Sequence, residues 1–122
     1  MKNMLNWFEI AVTDFERGKK FYETIFACTI PAMDFGGFKM GMLPSDEGKV
    51  SGALCVGPDY KPSMEGSLIY LNANPDLNEV LNRVESAGGK ILQAKTQITP
   101  EYGYMALFVD SEGNRMGLHS NK

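Results

Sequence analysis

The chain carries the same pattern twice, and no other feature of its 122 residues constrains the fold as tightly. WFEIAVTDFERGKKFYETIF in the first half matches SLIYLNANPDLNEVLNRVESAG in the second, and GKVSGALCV matches GNRMGLHSN. Each half reads as a strand, a helix and then three strands. A unit that occurs only twice does not build a solenoid, where each repeat stacks between neighbours. It predicts two modules related by a pseudo-twofold axis, residues 1–58 and 65–122, within one domain. Between them, GPDYKPSMEG at 57–66 holds two prolines and ends in glycine on both sides, which opposes any regular element. With one helix per module, each sheet has one face covered and the other left to form a concavity.

The first strand is expected over 5–12, with Leu5, Trp7, Glu9 and Ala11 on one side and Asn6, Phe8, Ile10 and Val12 on the other. Thr13 followed by Glu16 reads as a capping box, and Phe15, Phe21, Tyr22, Ile25 and Phe26 recur near helical spacing, which predicts a helix over 14–26. Gly18 weakens that helix by roughly 1 kcal/mol relative to Ala, a cost that points to close packing against a neighbour. Gly36, Gly37 and Gly41 divide 29–44 into two short strands, and 49–56 is another.

In the second half a strand is expected over 67–71, then Asn74 as a cap with Pro75 at the first helical position. Leu77, Val80, Leu81, Val84 and Ala87 form an apolar stripe that Gly88-Gly89 closes. A strand over 90–94 and a loop over 95–103, KTQITPEYG, lead into a closing hairpin. There Tyr104, Ala106 and Phe108 alternate with Met105, Leu107 and Val109, which suits a strand covered on both faces. The run DSEGN at 110–114 reverses the chain, with Gly113 and Asn114 both able to take positive φ, and 116–119 returns.

A hydrophobic content of 43% and a charged content of 22% are ordinary for a soluble globular protein. No apolar run approaches the roughly 18 residues that span a bilayer, so a membrane partner is not expected. The start, MKNMLNWFEIAV, is too short in its apolar part for a signal peptide and contains Glu9, which gives the expectation of a cytoplasmic location. A net charge of −3, with Lys and Arg dispersed, lacks the footprint of a nucleic-acid binder. Cys28 and Cys55 are far apart and show no CxxC spacing, so each reads as a small buried hydrophobe. His119 is the single histidine.

Taken together, AVTDFERGKKFYETIF and GYMALFVDSEGNRMGLHS strongly resemble the vicinal oxygen chelate superfamily, which includes glyoxalase I, bleomycin-resistance proteins and extradiol dioxygenases. The resemblance covers essentially the whole chain. It implies an α+β fold of tandem βαβββ modules whose mixed sheets form a cup, and it implies a homodimer. Metal enzymes of that superfamily carry four ligands on the concave face, one on the first and one on the last strand of each module. Matched residue by residue, those positions fall on Trp7 and Gly52, then on Ser67 and Gly117, with room for a slip of one residue on the last strands. None is a carboxylate or an imidazole, and neither Trp nor Gly offers a side-chain lone pair to a divalent ion. The resemblance with these departures implies no metal at that site, no cofactor, and a likeness to the bleomycin-resistance branch.

Alternation places Glu9 two residues beyond Trp7 and His119 two beyond Gly117, which aims both into the cup. In an apolar cup, burial would raise the pKa of Glu9 and an ionised Glu9 that of His119, giving a general base and acid. The plainer reading leaves Glu9 solvated or paired with Lys or Arg and His119 a partly exposed strand residue. Trp7 either stacks on a planar ligand or fills the space of a metal. Leu54, Val56, Ile69 and Leu71 are expected on the same face, with Gly52 and Gly117 leaving room, Ser67 alongside, and Met33, Met40, Met42 and Met64 as a rim. The 95–103 loop carries Glu101 and Tyr102 and either closes over the cup or runs along the surface. Three functions follow. The leading one is metal-independent binding of a small organic or hydrophobic molecule in the cup. The others are a lyase or isomerase using Glu9 and His119, and a structural dimer module whose cup is filled by its own side chains.

Overall fold

The strand, helix, three-strand order occurs twice in the computed structural model, which describes residues 3–34, 36 and 38–122. The first unit comprises β1 (Trp7–Ala11), α1 (Phe15–Phe26), β2 (Ala32–Asp34), β3 (Lys39–Met42) and β4 (Ser51–Val56). The second comprises β5 (Tyr70–Asn72), α2 (Asn78–Leu81), β6 (Lys90–Thr99), β7 (Gly103–Val109) and β8 (Arg115–Ser120). Each unit folds into a four-stranded mixed sheet, ordered β1-β4-β3-β2 and β5-β8-β7-β6, in which the first and last strands pair in parallel. Gly37, one of the three glycines expected to separate β2 from β3, lies outside the described residues.

One core serves both units. Ile10, Phe21, Tyr22, Ile25 and Leu54 from the first unit cluster with Leu77, Val84, Phe108 and Leu118 from the second, all essentially inaccessible to water. The rings of Phe21 and Phe108 lie 6.1 Å apart across the boundary. α1 is capped by Asp14 rather than Thr13, because the Asp14 carboxylate accepts from the Arg17 N–H at 3.1 Å. The cost of Gly18 has its explanation here, since a Cβ at that position would stand 2.8 Å from Cγ1 of Val12.

The second half departs from its expected form in three places. α2 covers only Asn78–Leu81, starts from Leu77 without a side-chain cap, and continues as irregular turns, while Asn74-Pro75 is a cis peptide outside the helix. The apolar stripe is buried nonetheless; Leu81, Val84 and Ala87 are three apart, a spacing that tight turns bring to one side as well as a helix does. The expected 95–103 loop is mostly strand, for β6 runs to Thr99 and pairs with β7 as far as Thr99 and Gly103. Register shifts between Ile91 and Gln93, Gln93 and Thr96, and Gln97 and Thr99 break the alternation that would have marked it. Finally, β7 is covered on one face, with Ala106 and Phe108 buried and Met105, Leu107 and Val109 half-buried. Of the two turn residues, Gly113 takes a positive φ of 98° and Asn114 does not.

Candidate functional site

Strand register decides which side chains meet. In the first sheet Phe8, Ile10 and Val12 pack toward the helices, and the pairs Phe8↔Gly52 and Ile10↔Leu54 place Gly52 and Leu54 there too. The opposite, open face carries Trp7, Glu9 and Ala11 with their partners Ser51, Ala53 and Cys55, and Met40 and Met42 of β3. Contrary to the expectation, Gly52 and Leu54 thus do not line the face of Trp7 and Glu9; Leu54 is core, and a Cβ on Gly52 would meet the Phe8 carbonyl oxygen at 2.5 Å. Val56, Ile69 and Leu71 also pack against the core rather than the open face.

In the second sheet Met116 and Leu118 face the helices, so Arg115, Gly117 and His119 share the open face with Tyr70 and Asn72. Glu9 pairs with Ala53 as Tyr70 pairs with Gly117, so the last-strand position in the first unit is Ala53, one residue on from Gly52. By the same register the counterpart of Trp7 is Leu68 rather than Ser67. Trp7, Ala53, Leu68 and Gly117 supply no oxygen or imidazole donor and do not fit a divalent ion. Among the described residues no group of three or more His, Cys, Asp or Glu comes together that could hold one.

Glu9 is held by a residue that sequence reasoning passed over. Tyr60, in the connecting segment, donates its hydroxyl to Glu9 Oε1 at 2.6 Å, and the Trp7 indole N–H donates to Oε2 at 3.2 Å. The Tyr60 hydrogen bond, aided by that from Trp7 and against a smaller effect of burial, holds the Glu9 carboxyl below the ordinary carboxylate range. That is the reverse of the shift expected for a buried general base. The same contact pushes the Tyr60 hydroxyl well above its usual range. The only hint of it in the sequence is an aromatic residue inside a Pro/Gly linker. Cys55, beneath the pair, is fully buried, and burial followed by the nearby Glu9 charge raises its thiol to about 11.

His119 is engaged elsewhere. Its Nε2 lies 2.6 Å from the Tyr102 carbonyl oxygen in the β6–β7 turn; a carbonyl only accepts, so Nε2 carries the proton. No described hydrogen bond joins Glu9 to His119. Tyr102 itself projects into solvent, 63% exposed.

A cavity of about 200 Å³ opens at the junction of the two units. Glu9, Ile10 and Ala11 of β1 form one wall, Lys61, Ser63, Gly66, Ser67 and Ile69 of the connecting segment another, and Asn114, Arg115 and Met116 the third. Of the candidate site residues, Glu9, Ser67 and Ile69 lie on its wall, and Trp7, Gly52, Leu54, Gly117, Tyr102 and His119 do not. Lys61, Asn114 and Arg115 were not anticipated. Arg115 was legible only as the residue before Met116 on the return strand, where alternation turns it away from the core.

The sequence model described as "Glyoxalase/Bleomycin resistance protein/Dioxygenase superfamily" matches residues 4–118. None of the curated proteins matches the sequence. Among solved structures, a glyoxalase/bleomycin resistance protein from Albidiferax ferrireducens T118 shares 17% identity, covers 98% of this chain and 100% of its own, and superposes with a TM-score of 0.70. A family enzyme from Burkholderia phytofirmans PsJN shares 16% identity over 96% of this chain and 98% of its own, with a TM-score of 0.69. A glyoxalase I mutant from Zea mays shares 23% identity over 95% of this chain at a TM-score of 0.69, but the chain spans only 45% of that protein. At these identities the likeness is one of fold.

Proposed function

The chain belongs to the glyoxalase/bleomycin resistance protein/dioxygenase superfamily, and from that premise we propose that it binds a small organic molecule at the junction of its two units, without a divalent ion at the positions the superfamily's metal enzymes use. The observation that carries this reading is the 200 Å³ cavity with Glu9 on its wall, fixed in place by Tyr60 and Trp7. A carboxylate aimed by two donors can accept from a ligand hydroxyl or amine without first reorganising. The cavity is smaller than the roughly 300–1,000 Å³ of sites for drug-sized compounds, so it suits a small molecule. Its open volume favours a binding role over a structural module with a filled cup.

Catalysis by Glu9 with His119 gains nothing from this geometry. A carboxylate held below its usual pKa is a weak proton acceptor, and the His119 Nε2–H is committed to Tyr102. Trp7 supplies the test. It is the only tryptophan, 39% exposed and bonded to Glu9 of the cavity wall, so at constant protein concentration a ligand-dependent change in its emission reports on the surroundings of Glu9. Titrating a library of small polar compounds is expected to quench or shift that emission saturably, and Glu9→Gln to weaken the response. A library that leaves the emission unchanged, with no compound in the cavity of a soaked crystal, would falsify the reading.

A homodimer is part of the same proposal. Trp7 and Met33 on the open face of the first sheet and Tyr70 on that of the second are 39%, 45% and 47% exposed, an amount of apolar surface that a second copy would cover. Light scattering on the eluted protein is expected to give twice the chain mass.

A further inference from the structure

Three charged residues border the cavity at the junction: Glu9, Lys61 and Arg115. Glu9 already has two donors. Neither Lys61 nor Arg115 has a carboxylate within ion-pair distance among the described residues, whose ion pairs are Arg17 with Glu112, Lys19 with Glu23 and Lys95 with Asp76. Arg115 is the sharper case. Its Nε is buried and has no hydrogen-bond partner. Leaving such a donor unmade is costly for a charged group, and an arginine offers Nε–H and an Nη–H as a fork that fits the two oxygens of a carboxylate.

The other polar groups narrow the ligand further. Asn114 is committed: its Nδ2 donates to the Ala11 carbonyl at 2.7 Å and to Asp110 at 2.9 Å, and its Oδ1 accepts from the Ser63 N–H at 3.0 Å. It shapes the wall and has nothing left to donate. Among the described residues the Ser67 hydroxyl has no partner. Two cations facing one carboxylate leave the lining net positive, which a monoanion neutralises and a zwitterion does not. We propose that this cavity takes a small hydroxy acid, its carboxylate forked on Arg115 beside Lys61 and its hydroxyl donating to Glu9. To reach the acid, the Arg115 side chain turns so that its enclosed Nε–H faces the cavity. The assignment rests on the ligand-binding reading above and adds the chemical class and the anchoring residue.

Calorimetric titration with 3-hydroxybutanoate and 4-hydroxybenzoate, each against its neutral amide, tests it on the full chain. The acids are expected to bind at least about tenfold more tightly than the amides. Arg115→Met should remove that difference, weakening the acids far more than the amides, while leaving the thermal midpoint near that of the parent protein. Arg115→Lys, which keeps the charge and loses the fork, should retain part of it. If amides bind as tightly as acids and Arg115→Met changes neither, anion recognition is wrong and the ligand-binding reading stands. If neither acids nor amides bind, while other compounds still quench Trp7, the hydroxy-acid assignment alone falls. If nothing binds by either measurement, both fall.

Discussion

Ala27 ends α1 with φ 51° and ψ 51°, a left-handed conformation that glycine adopts freely and alanine does not. Ala27→Gly is expected to stabilise the protein by about 1 kcal/mol, read as a higher urea midpoint at unchanged slope. Two glycines test the face assignment. At Gly52 an added Cβ meets backbone, the Phe8 carbonyl oxygen at 2.5 Å, whereas at Gly117 it meets the ring of Tyr70, a side chain 47% exposed and free to swing. Gly52→Ala should therefore cost about 1–3 kcal/mol and Gly117→Ala clearly less. An equal loss at both positions would contradict the packing described. Cys55 is buried with its thiol near 11, so it should resist alkylation at pH 8 and react once urea unfolds the chain.

The β7–β8 turn does more than reverse the chain. Glu112 accepts from the N–H groups of Thr13 and Asp14 at 2.9 and 2.8 Å and from Arg17 Nε at 2.7 Å, which caps α1 from the other unit. Asp110 accepts from the buried Tyr22 hydroxyl at 2.7 Å, and Asn114 ties to the Ala11 carbonyl. As a sequence, DSEGN showed only its turn chemistry; its partners lie about a hundred residues away, and local spacing carries no trace of them. The second half of β6, 95–99, was hidden for a different reason, since register shifts disrupt the period that reveals a strand. The side chains of β4 were placed on the wrong face because a one-residue slip exchanges the faces of a strand and its apolar residues fill both. The repeat, α1 and the apolar stripe after Leu77 were legible because short-range periodicity alone determines them. Burial raises the Glu112 pKa, but Arg17 and the two backbone donors outweigh it, so the folded value lies below 4.5. Its contribution is complete above pH 4.5 and is lost as pH falls through the lower folded value. Glu112→Gln should cost about 1.5–3 kcal/mol at neutral pH and flatten the acid limb of the stability profile, measured by urea unfolding from pH 7 to 3.

At the scale of the whole molecule, the repeat marks two units within one domain, and the packing lets neither stand alone. Phe21 and Tyr22 of α1 bury their rings in a cluster completed by Phe108 and Leu118, and the N-terminus of α1 is capped by Glu112. Cut away from the second unit, the first would expose that apolar surface and leave its helix cap unmade, and so small a unit has little core to offset the loss. Residues 1–62 alone should therefore show no cooperative thermal transition, and neither should 63–122. Mixed in equal amounts, the two pieces are expected to associate and recover one transition with native far-UV and near-UV circular dichroism. The cavity sets a further condition on that experiment. Its walls come from β1, β8 and the segment between them, so a cut after residue 62 leaves Lys61 on one piece and Arg115 on the other. Ligand-dependent quenching of Trp7 should return only in the reassembled pair; quenching in the isolated first piece would place the site within one unit and overturn a site at the junction.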